Sequence, residues 1–333
     1  MHMADALVSP QVAGTMYLCS SVAMGYSINK IKKVDEDYKK IPIMGVMGAF
    51  IFASQMINYT IPGTGSSGHL CGGMLLSAIL GPLHGFLSMI GVLLIQCLLF
   101  ADGGLLALGC NIWNMAFYGC FIGAGVIWRL IMKRGISKKK IVTASLLGCI
   151  LTLQMGAFSV VLETSASQIT ELPFITFISL MQPIHLAIGL VEGLITSAVL
   201  CFIYETRTDI LWIPNKDIKE EKRYLSLNKV VLIFLVLSIF IGGGLSLFAS
   251  KYPDGLEWSI EQITDSIELE GDMQETAEKI QNTTAVLPDY SLKNSDSTIG
   301  TSISGIIGGI VVIVVCVLGA LLIKKVGRKQ KCE

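Results

Sequence analysis

The chain has 333 residues, of which 52% are hydrophobic and 15% are charged, and its formal net charge is zero. Soluble domains carry roughly a quarter charged residues, so this composition excludes an ordinary soluble protein and indicates a membrane protein with several spans. Because there is no excess of basic residues, we expect membrane lipid and not nucleic acid around the protein.

Apolar segments recur along the whole chain and predict an all-α, polytopic helical membrane protein. The third segment is too short to cross a hydrocarbon core about 30 Å thick, and Gly81-Pro82 is expected to end its helix. We expect a half-length helix covered by its neighbours, since freed backbone groups are not tolerated against lipid. The nine candidate spans are residues 13–28, 43–58, 70–82, 84–100, 111–131, 141–162, 183–206, 230–250 and 302–323.

Lysine and arginine residues cluster in four of the polar segments that connect or follow these spans. With nine spans, all four clusters fall on one side of the membrane, which the positive-inside rule identifies as the cytoplasm. We therefore expect the N-terminus to lie outside and the C-terminus to lie in the cytoplasm. The clusters are at 30–40, 129–140, 216–229 and 324–331.

A polar cytoplasmic linker at residues 208–229 divides the chain into two predicted units. Residues 1–207 form a seven-span bundle, and residues 230–333 form a two-span hairpin with an outer loop at 251–299. This loop is rich in acidic residues. It is either an ordinary solvated surface or a means of enriching cations near the membrane.

Motifs typical of enzymes and nucleotide-binding proteins are absent from the sequence. Neither a GxxxxGK[ST] phosphate loop nor GxSxG nor HExxH occurs, so we predict no nucleotide site and no catalytic residue. Concentrative transport would then take its energy from another polypeptide or from an ion gradient. A secondary transporter usually has several intramembrane carboxylates, and Glu192 is the one good candidate. The nine cysteines include no CxxC pair and are expected to be buried thiols.

His2 directly follows the first residue of the chain. A free α-amine, the amide nitrogen between residues 1 and 2, and the His2 imidazole can close adjacent chelate rings on one metal ion. One further imidazole completes a plane of four nitrogens, which suits Ni²⁺, Cu²⁺ or low-spin Co²⁺ and suits neither Zn²⁺ nor Mg²⁺. This site requires Met1 to be retained with its amine free. A histidine at position two also arises by accident, so His2 alone does not settle the function.

His69 is the candidate for the fourth nitrogen. It lies in "GTGSSGHLCGG", where small residues let the backbone approach another segment closely. If the first dozen residues fold back into an outer cavity, His69 can reach the same ion. The alternative is a loop histidine that is hydrogen-bonded to a carbonyl group. The candidate metal ligands are therefore Met1, His2 and His69.

Three polar residues within the spans are candidates for a supporting role around the metal. His185 and Glu192 are seven residues apart and share a face of the seventh span. We expect them to orient ligands or lock helices, with direct ligation by His185 as the alternative. Asn114, like Gln96 and Asn111, is most simply explained by interhelical hydrogen bonds. His84 is assigned to packing.

Four motifs together resemble one protein family. "MHMADALVSP", "GTGSSGHLCGGMLLSAILGP", "LLIQCLLFADGGLLALGCNIWNMAFYG" and "HLAIGLVEGLIT" are similar, in order and spacing, to the signatures of CbiM and NikM, the cobalt or nickel substrate-binding membrane subunits of energy-coupling-factor (ECF) transporters. The match covers about residues 1–207. Residues 230–323, with "YPDGLEWS" and "LPDYSL", resemble the small CbiN or NikN subunit fused to it.

The resemblance implies a fold, a ligand set and partners. An S-component-like bundle would hold Co²⁺ or Ni²⁺, as transported substrate, in a square-planar site of the Met1 amine, the His2 amide and imidazole, and His69. A transmembrane coupling subunit (CbiQ- or NikQ-like) and a cytoplasmic ATPase (CbiO- or NikO-like) would drive import in a bacterial or archaeal cell membrane. The ion would serve cobalamin biosynthesis or nickel enzymes. Ala4, Ala6 and His84 stand where the family often has proline, glycine and tryptophan.

A second class of function stays open at this point. A membrane metal sensor or assembly scaffold would bind Co²⁺ or Ni²⁺ without moving it, and metal uptake by cells with the partner subunits separates the two. A membrane enzyme is a distant alternative because no nucleophile and base can be paired. A channel is disfavoured since a tight nitrogen chelate releases its ion slowly.

Overall fold

The computed structural model describes residues 1–33, 40–214, 224–264, 274–292 and 298–332. These ranges are almost entirely helical, which confirms the all-α prediction. A two-stranded antiparallel hairpin, β1 (Tyr59–Ile61) and β2 (Ser66–Gly68), follows α2. The helices are α1 (Pro10–Lys33), α2 (Lys40–Gln55), α3 (Gly73–Leu80), α4 (Pro82–Phe100), α5 (Leu108–Met132), α6 (Lys138–Ser167), α7 (Phe174–Thr206), α8 (Leu227–Gly243), α9 (Gly255–Thr264), α10 (Gln274–Thr284) and α11 (Thr298–Cys332).

Each of the nine apolar segments lies in a helix, but not every one is a full span. Among the described residues, six helices are long and apolar enough to cross a membrane: α4, α5, α6, α7, α8 and α11. The α2 helix is apolar but has 16 residues, and α3 has 8 residues. The α1 helix carries serine, threonine, asparagine and lysine, which lower its hydropathy. Six of the nine predicted spans are therefore confirmed as candidate spans by length and hydropathy, and the other three stay predictions.

The half-length third segment is confirmed, and its broken end is covered by protein. Gly81 has φ of +87° and ends α3, and Pro82 begins α4. Trp212 donates its backbone N–H to the Ala78 carbonyl at 2.8 Å, and its own carbonyl accepts from the Trp128 indole at 2.8 Å. Backbone groups freed by the break are thus paired inside the bundle, as the membrane requires.

Small residues bring the C-terminal helices against the rest of the bundle. Gly242 of α8 faces Gly305 of α11 so closely that a Cβ at either position would meet the other backbone. On the other side of α11, Gly45 and Gly48 of α2 pack against its side chains. Close approach at glycine is the usual way in which helices associate in a membrane. The α8–α11 pair is therefore packed on the N-terminal bundle and not merely tethered to it.

Parts of two predicted segments lie outside the described residues. These are 215–223 of the linker at 208–229, and 265–273 and 293–297 of the outer loop at 251–299. The described parts of the loop approach the N-terminal bundle at two places. Ser67 of β2 donates its N–H to the Pro253 carbonyl at 2.8 Å, and Leu287 donates to the Leu99 carbonyl at 3.1 Å. Eight cysteines whose side chains the structure describes are free thiols; six of them are buried, as expected, and Cys19 and Cys201 are partly exposed.

Candidate metal centre

The first residues of the chain are inserted into the bundle. Met1 is 4% exposed and Met3 is fully buried. The Asn111 side chain pairs with both backbone groups of Met3: its Oδ1 accepts from the Met3 N–H at 2.7 Å, and its Nδ2 donates to the Met3 carbonyl at 3.1 Å. The Gly104 N–H donates to the same carbonyl at 2.8 Å. The start of α5 therefore holds the N-terminal segment much as a neighbouring strand would.

Two further features allow the N-terminal segment to lie close to the start of α5. Asp5 accepts a hydrogen bond from the Ala107 N–H at 2.9 Å and so ties the next turn of the segment to the α4–α5 connection. Gly103 has φ of +80°, and a Cβ there would lie 2.8 Å from Asn111 Nδ2 and 3.3 Å from His2 Cβ. Only glycine fits this backbone shape and this space.

We predict that Asn111→Leu weakens metal binding, because it removes both Asn111 bonds to Met3 and leaves the buried Met3 N–H unpaired, while the Met3 carbonyl keeps its bond from Gly104. Such a loss costs about 1–3 kcal/mol, or roughly tenfold or more in affinity. Equilibrium titration of the purified protein with Co²⁺ measures it, with Asn29→Leu, on the exposed surface of α1, as the control. Equal affinity in Asn111→Leu and the native protein would show that metal binding does not depend on the hydrogen bonds between Asn111 and Met3.

The three predicted ligands meet at the buried N-terminus. The Met1 amine lies 3.0 Å from His69 Nε2, and the His2 and His69 rings stack with centroids 5.2 Å apart. His69 Nδ1 lies 2.9 Å from the Leu70 carbonyl. A carbonyl oxygen only accepts, so Nδ1 carries the hydrogen and the Nε2 lone pair faces the amine. His69 Nδ1 is thus hydrogen-bonded to a carbonyl group, as in the alternative stated from the sequence. The lone pair of Nε2 remains suited to bind an ion.

Asp254, which sequence reasoning did not select, lies at the same point. Its carboxylate forms an ion pair with the Met1 amine, and its Oδ2 lies 3.8 Å from His69 Nε2. Its Oδ1 begins α9 by accepting from Leu256 N–H at 2.7 Å and Glu257 N–H at 3.0 Å. The Asp-x-x-Glu spacing in "DGLE" is a helix-capping pattern that the sequence does show. The contact with Met1, 253 residues away, has no local signal.

Burial and mutual charge set the protonation states of this cluster. Burial lowers the pKa of the Met1 amine, but Asp254 outweighs it and the net pKa is raised. The Asp254 carboxyl has a lowered pKa because the amine and His69 overcome the opposing effect of burial. Burial, with the amine charge, lowers the pKa of His69 to about 3 and also lowers that of His2. At neutral pH the cluster therefore holds one ion pair and two neutral imidazoles.

The His2 ring is turned toward a second carboxylate. His2 Nδ1 lies 3.2 Å from Asp102 Oδ1, and its Nε2 is buried without a hydrogen-bond partner in the described part of the chain. The chelate ring that starts at the His2 amide has six members and closes through Nδ1. Because Nδ1 faces Asp102 in the structure, metal binding requires the imidazole ring to turn. Within the described ranges no three His, Cys, Asp or Glu side chains are arranged as a metal site. The predicted centre would depend instead on the chain terminus and its first amide.

His185 and Glu192 both lie on the buried face of α7, as expected. Glu192 accepts hydrogen bonds from the Cys71 N–H at 2.8 Å and the Gly72 N–H at 2.9 Å, directly after the segment that carries His69. His185 Nδ1 lies 2.7 Å from the Met181 carbonyl. Its Nε2 has no hydrogen-bond partner in the described structure, and the side chain lines a small cavity together with Met1, His69 and Asp254.

We predict that Glu192→Ala destabilises the protein, because two buried N–H groups at the start of α3 lose their acceptor. Each unpaired buried donor costs about 1–3 kcal/mol, so the loss is well above that of a lipid-facing change. Thermal unfolding of the purified, detergent-solubilised protein measures it. Leu190→Ala on the exposed surface of the same helix is the control, and an equal unfolding temperature in the two variants would contradict the role given to Glu192.

Asn114 does bridge two helices, as predicted, and it reveals a residue that sequence reasoning missed. Its Nδ2 donates to Glu163 Oε2 at 2.7 Å and lies 3.6 Å from Met3 Sδ. Glu163 is a buried carboxylate of α6. The expectation that Glu192 is the one intramembrane carboxylate is therefore wrong. The sixth predicted span ends at residue 162, whereas α6 continues to Ser167.

Gln96 differs from its expected role. Its Nε2 donates to the Tyr290 hydroxyl at 3.3 Å, so it contacts the outer segment of the C-terminal unit and not a neighbouring span. Asn111 differs in the same way, since its partner is the N-terminal segment. His84 is buried in the first turn of α4, in keeping with a packing role.

Comparison with known proteins identifies two families along the chain. The profile of the CbiM family, described as a cobalt uptake substrate-specific transmembrane region, matches residues 2–210, and that of the PDGLE domain matches residues 228–325. A protein of Archaeoglobus fulgidus that is named as a fused nickel transport protein, NikMN, is 33% identical over 94% of this chain and 96% of its own length.

Other relatives agree with this assignment. A protein of Methanocaldococcus jannaschii named as a cobalt transport protein, CbiM, is 30% identical over 66% of this chain and 95% of its own. The fused nickel transport protein NikMN of Rhodobacter capsulatus is 25% identical over 79% of this chain and 77% of its own. A crystal structure described as a truncated transition metal transporter superposes with a TM-score of 0.54, at 31% identity, over 62% of this chain and 99% of that one.

Proposed function

Since the chain belongs to the CbiM family, with a PDGLE domain fused at its C-terminal end, we propose that it captures Co²⁺ or Ni²⁺ at the outer face of a cell membrane for import. It is a multi-pass membrane protein and a metal-transport component, not an enzyme. The proposed import is ATP-driven and of the ECF type. The captured ion would supply cobalamin biosynthesis or nickel enzymes in a bacterium or an archaeon.

The observation that carries the proposal is the convergence of nitrogen donors at the buried N-terminus. The Met1 amine and His69 Nε2 are 3.0 Å apart, and the His2 ring stacks on the His69 ring. These residues supply an amine, a deprotonated amide and two neutral imidazoles, four nitrogens in all. A plane of nitrogen donors suits Ni²⁺ and Co²⁺. The ion would replace one proton of the terminal ammonium and the proton of the His2 amide, both released to water, since ligands bind metals in their deprotonated form.

Neighbouring residues would hold the proposed metal ligands in place. His69 donates through Nδ1 to the Leu70 carbonyl, which leaves Nε2 for the ion. Glu192 fixes the backbone after His69, and Asn114 lies between Glu163 and Met3. His185 would have an orienting role, since its side chain lines the same cavity as Met1 and His69. Such outer partners normally fix the orientation of metal ligands.

The arrangement of units and partners follows the same proposal. Residues 1–207 would be the capture unit, and 208–229 a cytoplasmic linker. Residues 230–333 would be a hairpin, with its outer loop at 251–299, that helps to load the metal or to hold the N-terminal loop. Asp254 on Met1 supports that role for the loop. The sequence has no phosphate loop, so energy would come from partners: a coupling subunit in the membrane and a cytoplasmic ATPase. The N-terminus would lie outside.

The test is metal uptake by cells that express this chain together with its coupling subunit and ATPase. Accumulation of radioactive Co²⁺ or Ni²⁺ that depends on all three, and on ATP hydrolysis, supports the proposal. Stoichiometric binding to the purified chain with unchanged uptake would instead identify a sensor or scaffold. Absence of binding to the purified chain would overturn both.

A further inference from the structure

Tyr290 connects the C-terminal unit to a metal-ligand residue. It ends a short 3-10 turn, Pro288–Tyr290, in the "LPDYSL" motif. Its hydroxyl donates to Asp102 Oδ2, and Asp102 Oδ1 lies 3.2 Å from His2 Nδ1. One carboxylate thus joins the tyrosine hydroxyl to the imidazole. Its two oxygens serve the two partners separately, so both contacts exist at once.

The position of the Tyr290 side chain is set by α4 from two directions. Gln96 Nε2 donates to the hydroxyl at 3.3 Å, so this oxygen both donates and accepts. The ring stacks on Phe100 with centroids 4.7 Å apart and an angle of 18° between the planes. The hydroxyl can therefore be removed while the ring remains held.

The backbone of the turn is held in an unfavourable conformation. Asp289 and Tyr290 have φ of +48° and +56°, in the left-handed region that side chains with a Cβ disfavour. Two consecutive residues of this kind persist where the surrounding structure determines them. Here the surroundings are the contacts of Tyr290 with Asp102, Gln96 and Phe100. In this strained conformation the turn places the Tyr290 hydroxyl group against Asp102.

We propose that Tyr290 is a positioning residue for the metal centre and acts on His2 through Asp102. By fixing the carboxylate, it sets the orientation of the imidazole and the nitrogen that carries the hydrogen. On metal binding, His2 Nδ1 turns to the ion and its Nε2–H becomes the donor to Asp102. A carboxylate on the second nitrogen of a ligating histidine fixes its ring and strengthens its lone pair. This inference rests on the proposed function and assigns one group of the fused hairpin to the same site.

The test compares Tyr290→Phe with the native protein in the full chain with its native N-terminus. Titration with Co²⁺, followed by its visible absorption, measures affinity and the ligand field together. Affinity is expected to fall about 10–100-fold, as for other outer partners of metal ligands, and the absorption bands are expected to shift. Tyr252→Phe, an exposed tyrosine of the same outer segment, is the matched control and should change neither.

A second variant tests the path through Asp102. If Tyr290 acts only through this carboxylate, Tyr290→Phe adds no further loss of affinity to that of Asp102→Asn, since coupled residues are not additive. Full additivity overturns the proposed path. A lower unfolding temperature of the metal-free protein with unchanged absorption bands would make Tyr290 merely structural, and would also overturn it.

The two proposals fail in different ways. If the native protein binds neither Co²⁺ nor Ni²⁺, the proposed function and the role of Tyr290 both fall. If the native protein binds and Tyr290→Phe binds with equal affinity and the same absorption bands, the metal site stands and only the positioning role is overturned.

Discussion

Insertion of one alanine before Met1 is expected to reduce Co²⁺ or Ni²⁺ affinity on the order of 10³-fold, which is about 4 kcal/mol. The insertion keeps every histidine and every helix. It puts one more residue and one more amide between the terminal amine and His2, so the chelate of the Met1 amine, the His2 amide and imidazole, and His69 can no longer form. Met1 is 4% exposed, and its amine already contacts His69 and Asp254, so an added residue has no space at this point.

Equilibrium dialysis with metal analysis measures this effect on purified protein whose N-terminus has been verified. A single alanine added after Glu333 is the matched control, because it changes the chain length equally at the other end. Control and native protein should each bind one ion. Equal binding by the N-terminal insertion that persists when His2 is also replaced by alanine would disprove the terminal chelate, and His69 with His185 would become the pair to test.

Replacement of His69 by glutamine is expected to lower metal affinity by more than about 100-fold, because outer partners of ligands alone contribute 10–100-fold. His69 Nε2 faces the amine at 3.0 Å and is the one nitrogen of the proposed plane that comes from outside the first two residues. Glutamine preserves a polar group of similar length but offers an amide, a poor ligand for Ni²⁺ or Co²⁺. The remaining three nitrogens cannot complete the plane.

His84→Gln is the control for His69→Gln, since both histidines are 7% exposed and both variants bury the same new group. Titration calorimetry of the two variants with Ni²⁺ separates loss of a ligand from general loss of packing. A similar fall in affinity in both variants would attribute the effect to packing. Native affinity in His69→Gln would remove this residue from the proposed ligand set.

The architecture was largely predictable because it depends on local properties of the chain. Apolar runs mark the helices, and the Gly81-Pro82 pair marks the break between α3 and α4. Helix length and hydropathy alone identify six of the nine predicted spans, because α2 and α3 are short and α1 carries more polar residues. The continuation of α6 through Glu163 was missed because its polar residues face the bundle.

The site was predictable only in part. His2 stands out by its position behind the amine, and His69 stands out in a segment of small residues. Asn111, Asp102, Asp254 and Tyr290 do not stand out, because their chemistry arises from partners that are distant in sequence. Asp254 reads as a helix cap and Asn111 as an interhelical hydrogen bond. Both descriptions omit the contacts with the N-terminal segment.

By itself the sequence determined that the chain is an all-helical membrane protein, and it predicted that the N-terminal residues can chelate a metal ion and that His69 can join them. Hydropathy and covalent spacing act over a few residues, so they can be read without a fold. Only the tertiary structure decided that Asn111 holds the N-terminal segment, that Asp254 pairs with the amine, and that Tyr290 reaches His2 through Asp102. These contacts join groups more than a hundred residues apart, and only the packing of the helices brings them together.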